Sequence, residues 1–162
     1  MNEDTLASGP APDALVLHRA GHHDLDAIVA LQFRAYARNR DLLGLEPLPL
    51  QANYKNLFST HEMRTITIND GIAAALILEV RPRDLLIWSV ATDPDEQNAG
   101  LCLNLLHAAE ARARDLGRSV LRLYTGATLE HLIAWYGRHG FDIERTEQLG
   151  DRDIVHMIKR LP

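Results

Sequence analysis

One cysteine, Cys102, stands in 162 residues. A lone thiol excludes an internal disulfide framework and any cysteine-rich zinc site. It suits a reducing compartment, so a cytoplasmic location is expected. No apolar run reaches the length of a membrane span, and no membrane partner is expected. The start, Met1–Asp13, is acidic and rich in Ala, Ser, Pro and Gly. It has neither the basic nor the apolar region of a signal peptide, and it reads as a disordered tail. Basic residues are in deficit, 17 Lys and Arg against 22 Asp and Glu, for a formal charge of −5. That balance argues against a nucleic-acid binder and slightly favours cationic partners such as amines. No Gly-x-Gly-x-x-Gly opens an early β-α-β unit, which disfavours a dinucleotide-binding domain. Internal repeats are absent.

What remains is the composition of an ordinary globular domain, 46% apolar and 24% charged. Residues 14–162 suffice for one domain that buries roughly two-thirds of its unfolded surface. Ala14–Arg19 alternates as a short strand. Asp24 caps a helix to about Asn39, on which Leu25, Ile28, Leu31 and Ala35 keep a helical period. Leu42–Leu50, with Gly44, Pro47 and Pro49, reads as a loop, and Gln51–His61 as a short helix. Arg64–Ile68 and Ile72–Val80 flank Asn69-Asp70-Gly71, a hairpin signal. Leu85–Thr92 follows as a strand after the turn Arg81–Asp84.

Gly100–Leu116 is the clearest helix. Cys102, Leu105, Leu106, Ala109, Ala113 and Leu116 form one stripe that should turn Cys102 inward, and Gly117 closes it. Ser119–Tyr124 is a strand, Thr128–Arg138 a helix, and Phe141–Glu147 and Asp153–Lys159 two final strands. Hairpins followed by a β-α-β crossover predict an α/β mixed sheet with helices on both faces.

Two stretches carry chemistry. In Val90–Cys102 a strand runs through a tight loop into a helix N-terminus. Free amides and the positive dipole end there suit a phosphate or pyrophosphate, and Asn98, Ala99 and Gly100 tolerate the turn that aims the amides inward. An ordinary strand-to-helix turn is the competing reading. In Ala134–Phe141 a helix ends through glycine into a strand. Leu129, Leu132, Ile133 and Tyr136 share one helix face. Tyr136 is either an acid for a leaving thiolate or a core tyrosine bonded to a carbonyl.

Taken together these motifs resemble the GNAT N-acetyltransferases. The family's Gln/Arg-x-x-Gly-x-Gly/Ala loop corresponds to Gln97-Asn98-Ala99-Gly100-Leu101-Cys102. Its aromatic-Tyr-x-x-x-Gly-Phe/Tyr motif corresponds to Trp135-Tyr136-Gly137-Arg138-His139-Gly140-Phe141. The resemblance implies a mostly antiparallel sheet whose fourth and fifth strands are parallel and splay apart. It implies acetyl-CoA as co-substrate, with pantetheine along Val90, Ala91 and Thr92 and pyrophosphate on the loop Gln97, Asn98, Ala99, Gly100, Leu101 and Cys102. An N–H near Ala91 would polarise the thioester carbonyl, and Tyr136 would protonate the departing thiolate. The acceptor would be an amine of a small molecule or peptide that attacks directly.

Three positions depart from the family pattern. Asn98 and Cys102 stand where Gly and Gly or Ala are usual, and Leu132 stands where relatives of the subgroup carry Asn. Asp93, Asp95 and Glu96 also precede the loop without a neighbouring Lys or Arg. These departures keep a second reading open, a GNAT-fold module that binds an acyl-CoA or another ligand without catalysis. Trp88 replaces a frequent glutamate of the fourth strand. Glu79 is a candidate base, with an exposed strand end as the competing reading. His18, His22 and His23 lack metal-ligand spacing, and no metal is expected. An exposed final strand could pair with a second copy in a homodimer.

Overall fold

A computed structural model describes residues 17–162, with Gln97–Ala99 described in backbone only. The expected tail and the first residues of the expected strand Ala14–Arg19 lie outside the described residues. The elements are β1 (His18–Arg19), α1 (Leu25–Leu43), α2 (Tyr54–Thr60), β2 (Glu62–Ile68), β3 (Gly71–Val80) and β4 (Leu85–Thr92). They continue as α3 (Leu101–Asp115), β5 (Val120–Gly126), α4 (Glu130–Arg138), β6 (Asp142–Leu149) and β7 (Arg152–Arg160). Seven strands form one mixed sheet in the order β1-β2-β3-β4-β5-β7-β6. Among the described strands only β4 and β5 pair in parallel.

The expected order of elements is borne out. Asn69 and Asp70 both take positive φ, 51° and 65°, between paired Ile68 and Gly71. That is the primed turn whose twist matches two antiparallel strands. α1 runs four residues past Asn39, because nothing in Arg40-Asp41-Leu42-Leu43 breaks a helix. It stops where Gly44 takes φ +66°. The segment expected to be a loop therefore begins only at Gly44, and Leu48–Gln51 is a turn of 3₁₀ helix.

β3 is the centre of the molecule. Its side chains alternate between two cores, as a strand buried on both faces must. Ala74, Leu76 and Leu78 join Leu101, Leu105, Ala109 and Ala113 under α3, with Phe141 behind α4. Ala75 and Ile77 join Ile28, Leu31 and Tyr54 under α1 and α2. Helices thus cover both faces, as the pattern predicts. The last strand is not at the edge, however. β7 lies between β5 and β6, so the open edge belongs to β6, a strand exposed along nearly its whole length.

Candidate active site

β4 and β5 touch over only two residue pairs, Leu85 with Leu121 and Leu86 with Arg122. Beyond these the strands part. Asp84 helps to hold the joined end: it is nearly buried and accepts from Arg81 Nε at 2.6 Å, from Arg81 Nη2 at 2.7 Å and from Arg122 Nη1. The parted end opens a cleft of about 650 Å³.

The β4 wall of this cleft has an unusual edge. Register against β3 shifts between Ile77 and Leu78, so Trp88 is an extra residue, a bulge. The bulge reverses the parity of the strand. Ser89 and Ala91 then face the α1 side, while Val90 packs toward the core under α3. The Asp93 N–H donates to Ala73 O at 2.8 Å, so the pair above it, Ala91 with Ala75, is also a hydrogen-bonded pair. By alternation, Val90 and Thr92 turn N–H and C=O away from β3, into the gap that β5 has left. Ala91's own N–H faces β3, so the gap-facing amides near it are those of Val90 and Thr92.

At the other wall stands the N-terminus of α3. Its first intrahelical bond is Asn104 N–H to Gly100 O, 3.1 Å. The amides of Leu101, Cys102 and Leu103 precede it and have no intrahelical partner. Gly100 takes φ +72°, a conformation that suits glycine, with nothing within 4 Å of the position a Cβ would occupy. Gln97, Asn98 and Ala99 lie in the preceding turn, Pro94–Ala99. Leu101 is fully buried, so only its backbone is available to a ligand.

Cys102 corrects the stripe reading. The buried face of α3 is carried by Leu101, Leu105, Leu106, Ala109 and Ala113, and Cys102 is half-buried in the cleft wall. Burial pushes its thiol up to about 11, so it is a neutral SH at pH 7. The acids before the loop do not line the cleft. Asp93 is turned to Arg34, 3.2 Å, and to the Asp95 N–H, 3.0 Å.

Tyr136 and Leu132 lie one turn apart on α4 and line the same cleft, as their spacing predicts. Burial pushes the Tyr136 phenol far above its ordinary range, and nearby Cys102 and Tyr36 add to the effect. Its hydroxyl has no hydrogen-bond partner among the described residues. It is therefore a protonated group with its proton uncommitted.

Tyr36 is the residue that sequence reasoning missed. Ile28, Gln32 and Tyr36 are spaced by four on α1, which puts the two polar residues on the buried face. Gln32 is fully buried. Ser89 donates to Gln32 Oε1 at 3.1 Å, and with that proton spent, Tyr36 donates to Ser89 Oγ at 2.9 Å. Burial pushes the Tyr36 phenol up to about 12, against hydrogen bonds to Ser89 and from the Val90 amide. Its oxygen therefore presents a lone pair to the cleft and keeps its proton. Glu79, by contrast, opposes Leu86 at the joined end and reaches only His61, 3.8 Å away, without lining the cleft. Among the described residues no cluster of His, Cys, Asp and Glu could hold a metal, and no helix is long and apolar enough to cross a membrane.

A mixed sheet parted between two parallel strands, with a helix N-terminus and a tyrosine on the gap, is the architecture of acyl-CoA N-acyltransferases. The chain belongs to the acetyltransferase (GNAT) family, whose model matches residues 26–141. No curated protein matches its sequence. Solved structures do resemble it. The ribosomal-protein-S18-alanine N-acetyltransferase of Escherichia coli is 23% identical, with TM-score 0.72 over 90% of this chain and 93% of that one. The PaiA N-acetyltransferase of Thermoplasma acidophilum, in complex with coenzyme A, is 14% identical, with TM-score 0.73 over 90% and 98%. A GNAT family acetyltransferase of Elizabethkingia anophelis with acetyl-CoA bound is 16% identical, with TM-score 0.64 over 90% and 97%. At these identities the likeness establishes the fold.

Leu132 gives a test of which way this wall faces. Leu132→Asn places an amide in the cleft wall and should lower stability by about 1–3 kcal/mol without ligand. With acetyl-CoA present, part of that loss should return. Equal loss in both melting curves would make Leu132 a packing residue with no contact to the ligand.

Proposed function

We propose that the protein transfers acetyl from acetyl-CoA to a primary amine. The observation that carries this reading is the backbone edge of Val90 and Thr92 turned away from β3, opposite Tyr136, in a cleft that continues to the amides of Leu101–Leu103. Acetyl-CoA supplies an activated acyl group on a sulfur leaving group. The gap-facing groups of Val90 and Thr92 suit the amides of pantetheine, which would replace the missing strand pairing. The α3 N-terminus suits the pyrophosphate, because its amides are free and the helix dipole favours negative charge. Gln97, Asn98, Ala99 and Gly100 would bring the chain close to it, and Cys102 offers a neutral wall.

The reaction then needs two things from the protein. As the C–S bond breaks and the C–N bond forms, the sulfur needs a proton, and Tyr136 holds one in the same cleft. The attacking amine must be oriented and must shed a proton. The Tyr36 oxygen accepts a hydrogen bond from the amine N–H. No aspartate or glutamate among the described residues lines the cleft, and in this reading the amine's proton leaves through water. Retention of Tyr136 favours this reading over a module that binds without catalysis.

A ligand bound only to the folded state raises stability by about 2.7 kcal/mol at a hundredfold excess over its Kd. Acetyl-CoA at millimolar concentration should therefore raise the melting temperature by several degrees. Subsequent addition of an accepted amine should release free CoA thiol. A folded protein whose melting is unmoved by acetyl-CoA would overturn the reading. A melting shift without thiol release from any amine would favour the binding module.

A further inference from the structure

The cleft is lined by no aspartate or glutamate among the described residues, although the whole chain carries a formal charge of −5. Three arginines line it: Arg38, Arg138 and Arg152. Arg138 lies on α4, on the sheet face shared with α3, where the cofactor's phosphates would be bound. Arg38 lies on α1, on the opposite face. Arg152 is turned to that face as well, because its Nη1 donates to Glu46 O in the loop after α1, 2.7 Å.

The Arg152–Glu46 bond straps the loop to β7 across the acceptor end. Leu43 packs beside it, so close to Gly126 that a Cβ there would come within 2.9 Å of Leu43 Cδ2. The strap bounds this end of the cleft on one side. The Arg152 side chain is only 10% exposed. Its one carboxylate partner among the described residues, Asp151 at 3.1 Å, is 63% exposed and so weakly compensating. Its Nη2 has no partner among the described residues. Arg38 makes no ion pair among them either. The Glu46 carboxylate is committed to Arg40, 3.1 Å.

A nearly buried guanidinium with a donor to spare, on a cleft wall that also carries Arg38 and, among the described residues, no acid, is an anion site. We propose that the acceptor is a small amine that carries its own carboxylate, an amino acid or a close analogue, received by Arg152 and Arg38. The proposal rests on the transferase reading above. It excludes polyamines, which the arginines would repel.

The test uses the intact protein, acetyl-CoA, and the proteinogenic amino acids, each paired with its amide and its decarboxylated amine. The amide keeps the size and removes the charge. It also has the less basic amine, which biases free reactivity toward the amide and against the proposal. The expected result is a kcat/KM at least tenfold higher for the acids, through KM. That preference should collapse in Arg38→Gln and in Arg152→Gln. Arg38 is exposed, so its variant remains informative if loss of the strap unfolds the Arg152 variant. Amides or amines used as well as the acids would overturn the proposal. So would an acid preference that survives in Arg38→Gln, or no turnover of any acid by protein that still binds acetyl-CoA. Failure to bind acetyl-CoA would instead overturn the transferase reading itself.

Discussion

Tyr136→Phe should lower kcat by about a hundredfold or more on an accepted amine while leaving the Kd for acetyl-CoA nearly unchanged. The ring stays, so the packing against Trp135 at 5.3 Å and Phe141 at 5.8 Å is kept. Only the hydroxyl is lost, and it has no hydrogen-bond partner among the described residues, so its removal should cost little stability. A positioned acid typically contributes 10²–10⁴-fold. The phenol is protonated at neutral pH, so its O–H can donate to the sulfur as the C–S bond breaks and negative charge develops there. Stopped-flow measurement of thiol release, beside calorimetry with acetyl-CoA, separates the two effects. If turnover survives in the variant, water or another group protonates the sulfur. A parallel loss of acetyl-CoA affinity would make Tyr136 a binding residue.

The second large effect concerns the joint from which the two strands diverge. Asp84→Asn should destabilise the protein by about 3 kcal/mol, the low end for breaking a buried ion pair, because both arginine partners remain about a third exposed. For a chain of this length that is a fall in Tm of roughly 6–12 °C. The variant leaves Arg81 and Arg122 side by side, with Glu144 at 2.9 Å from Arg122 Nη2 and the more distant Glu79 near Arg81 to compensate. Hydrogen bonds from Arg81, and then from Arg122, hold the Asp84 carboxyl below the usual carboxylate range. A lowered folded-state pKa means that the stabilisation is complete above the unfolded value of about 4 and is lost as pH falls through the folded one. The gap between wild type and Asp84→Asn should thus stay constant from pH 6 to 8 and narrow below about pH 4. A gap that widens in acid would mean that Asp84 is protonated in the folded protein.

Much of this architecture was legible because it is written in short-range patterns. The Asn69-Asp70 turn, the α3 stripe and the spacing of Leu129, Leu132 and Tyr136 each follow from local geometry. The Trp88 bulge was not legible. Leu85–Thr92 is apolar almost throughout, and a strand buried on both faces gives no alternation in which an extra residue would show. That Val90 and Thr92 turn to the gap, with Ala91 between them turned to β3, follows from that same bulge.

Gln32 and Tyr36 carried a signal, their four-residue spacing from Ile28. Their partner Ser89 is 57 and 53 residues away, and only the fold brings it near. Cys102 misled because one turn of helix before Leu105 reads as core, whereas the parting of β4 from β5 leaves that turn facing space. The charge of the acceptor end was also hidden. Net charge favours cationic partners, but Arg38 and Arg152 lie 114 residues apart in the chain and meet in one cleft.

The central claim is that acetyl-CoA lies between β4 and β5 with its phosphates on α3. Amide hydrogen exchange, followed with and without acetyl-CoA, tests it most directly. Slowed exchange is predicted at Val90 and Thr92, at Leu101–Leu103 and along α4 around Tyr136, with β6 unchanged. No slowing at these amides under saturating acetyl-CoA, or slowing confined to other elements, would contradict the account.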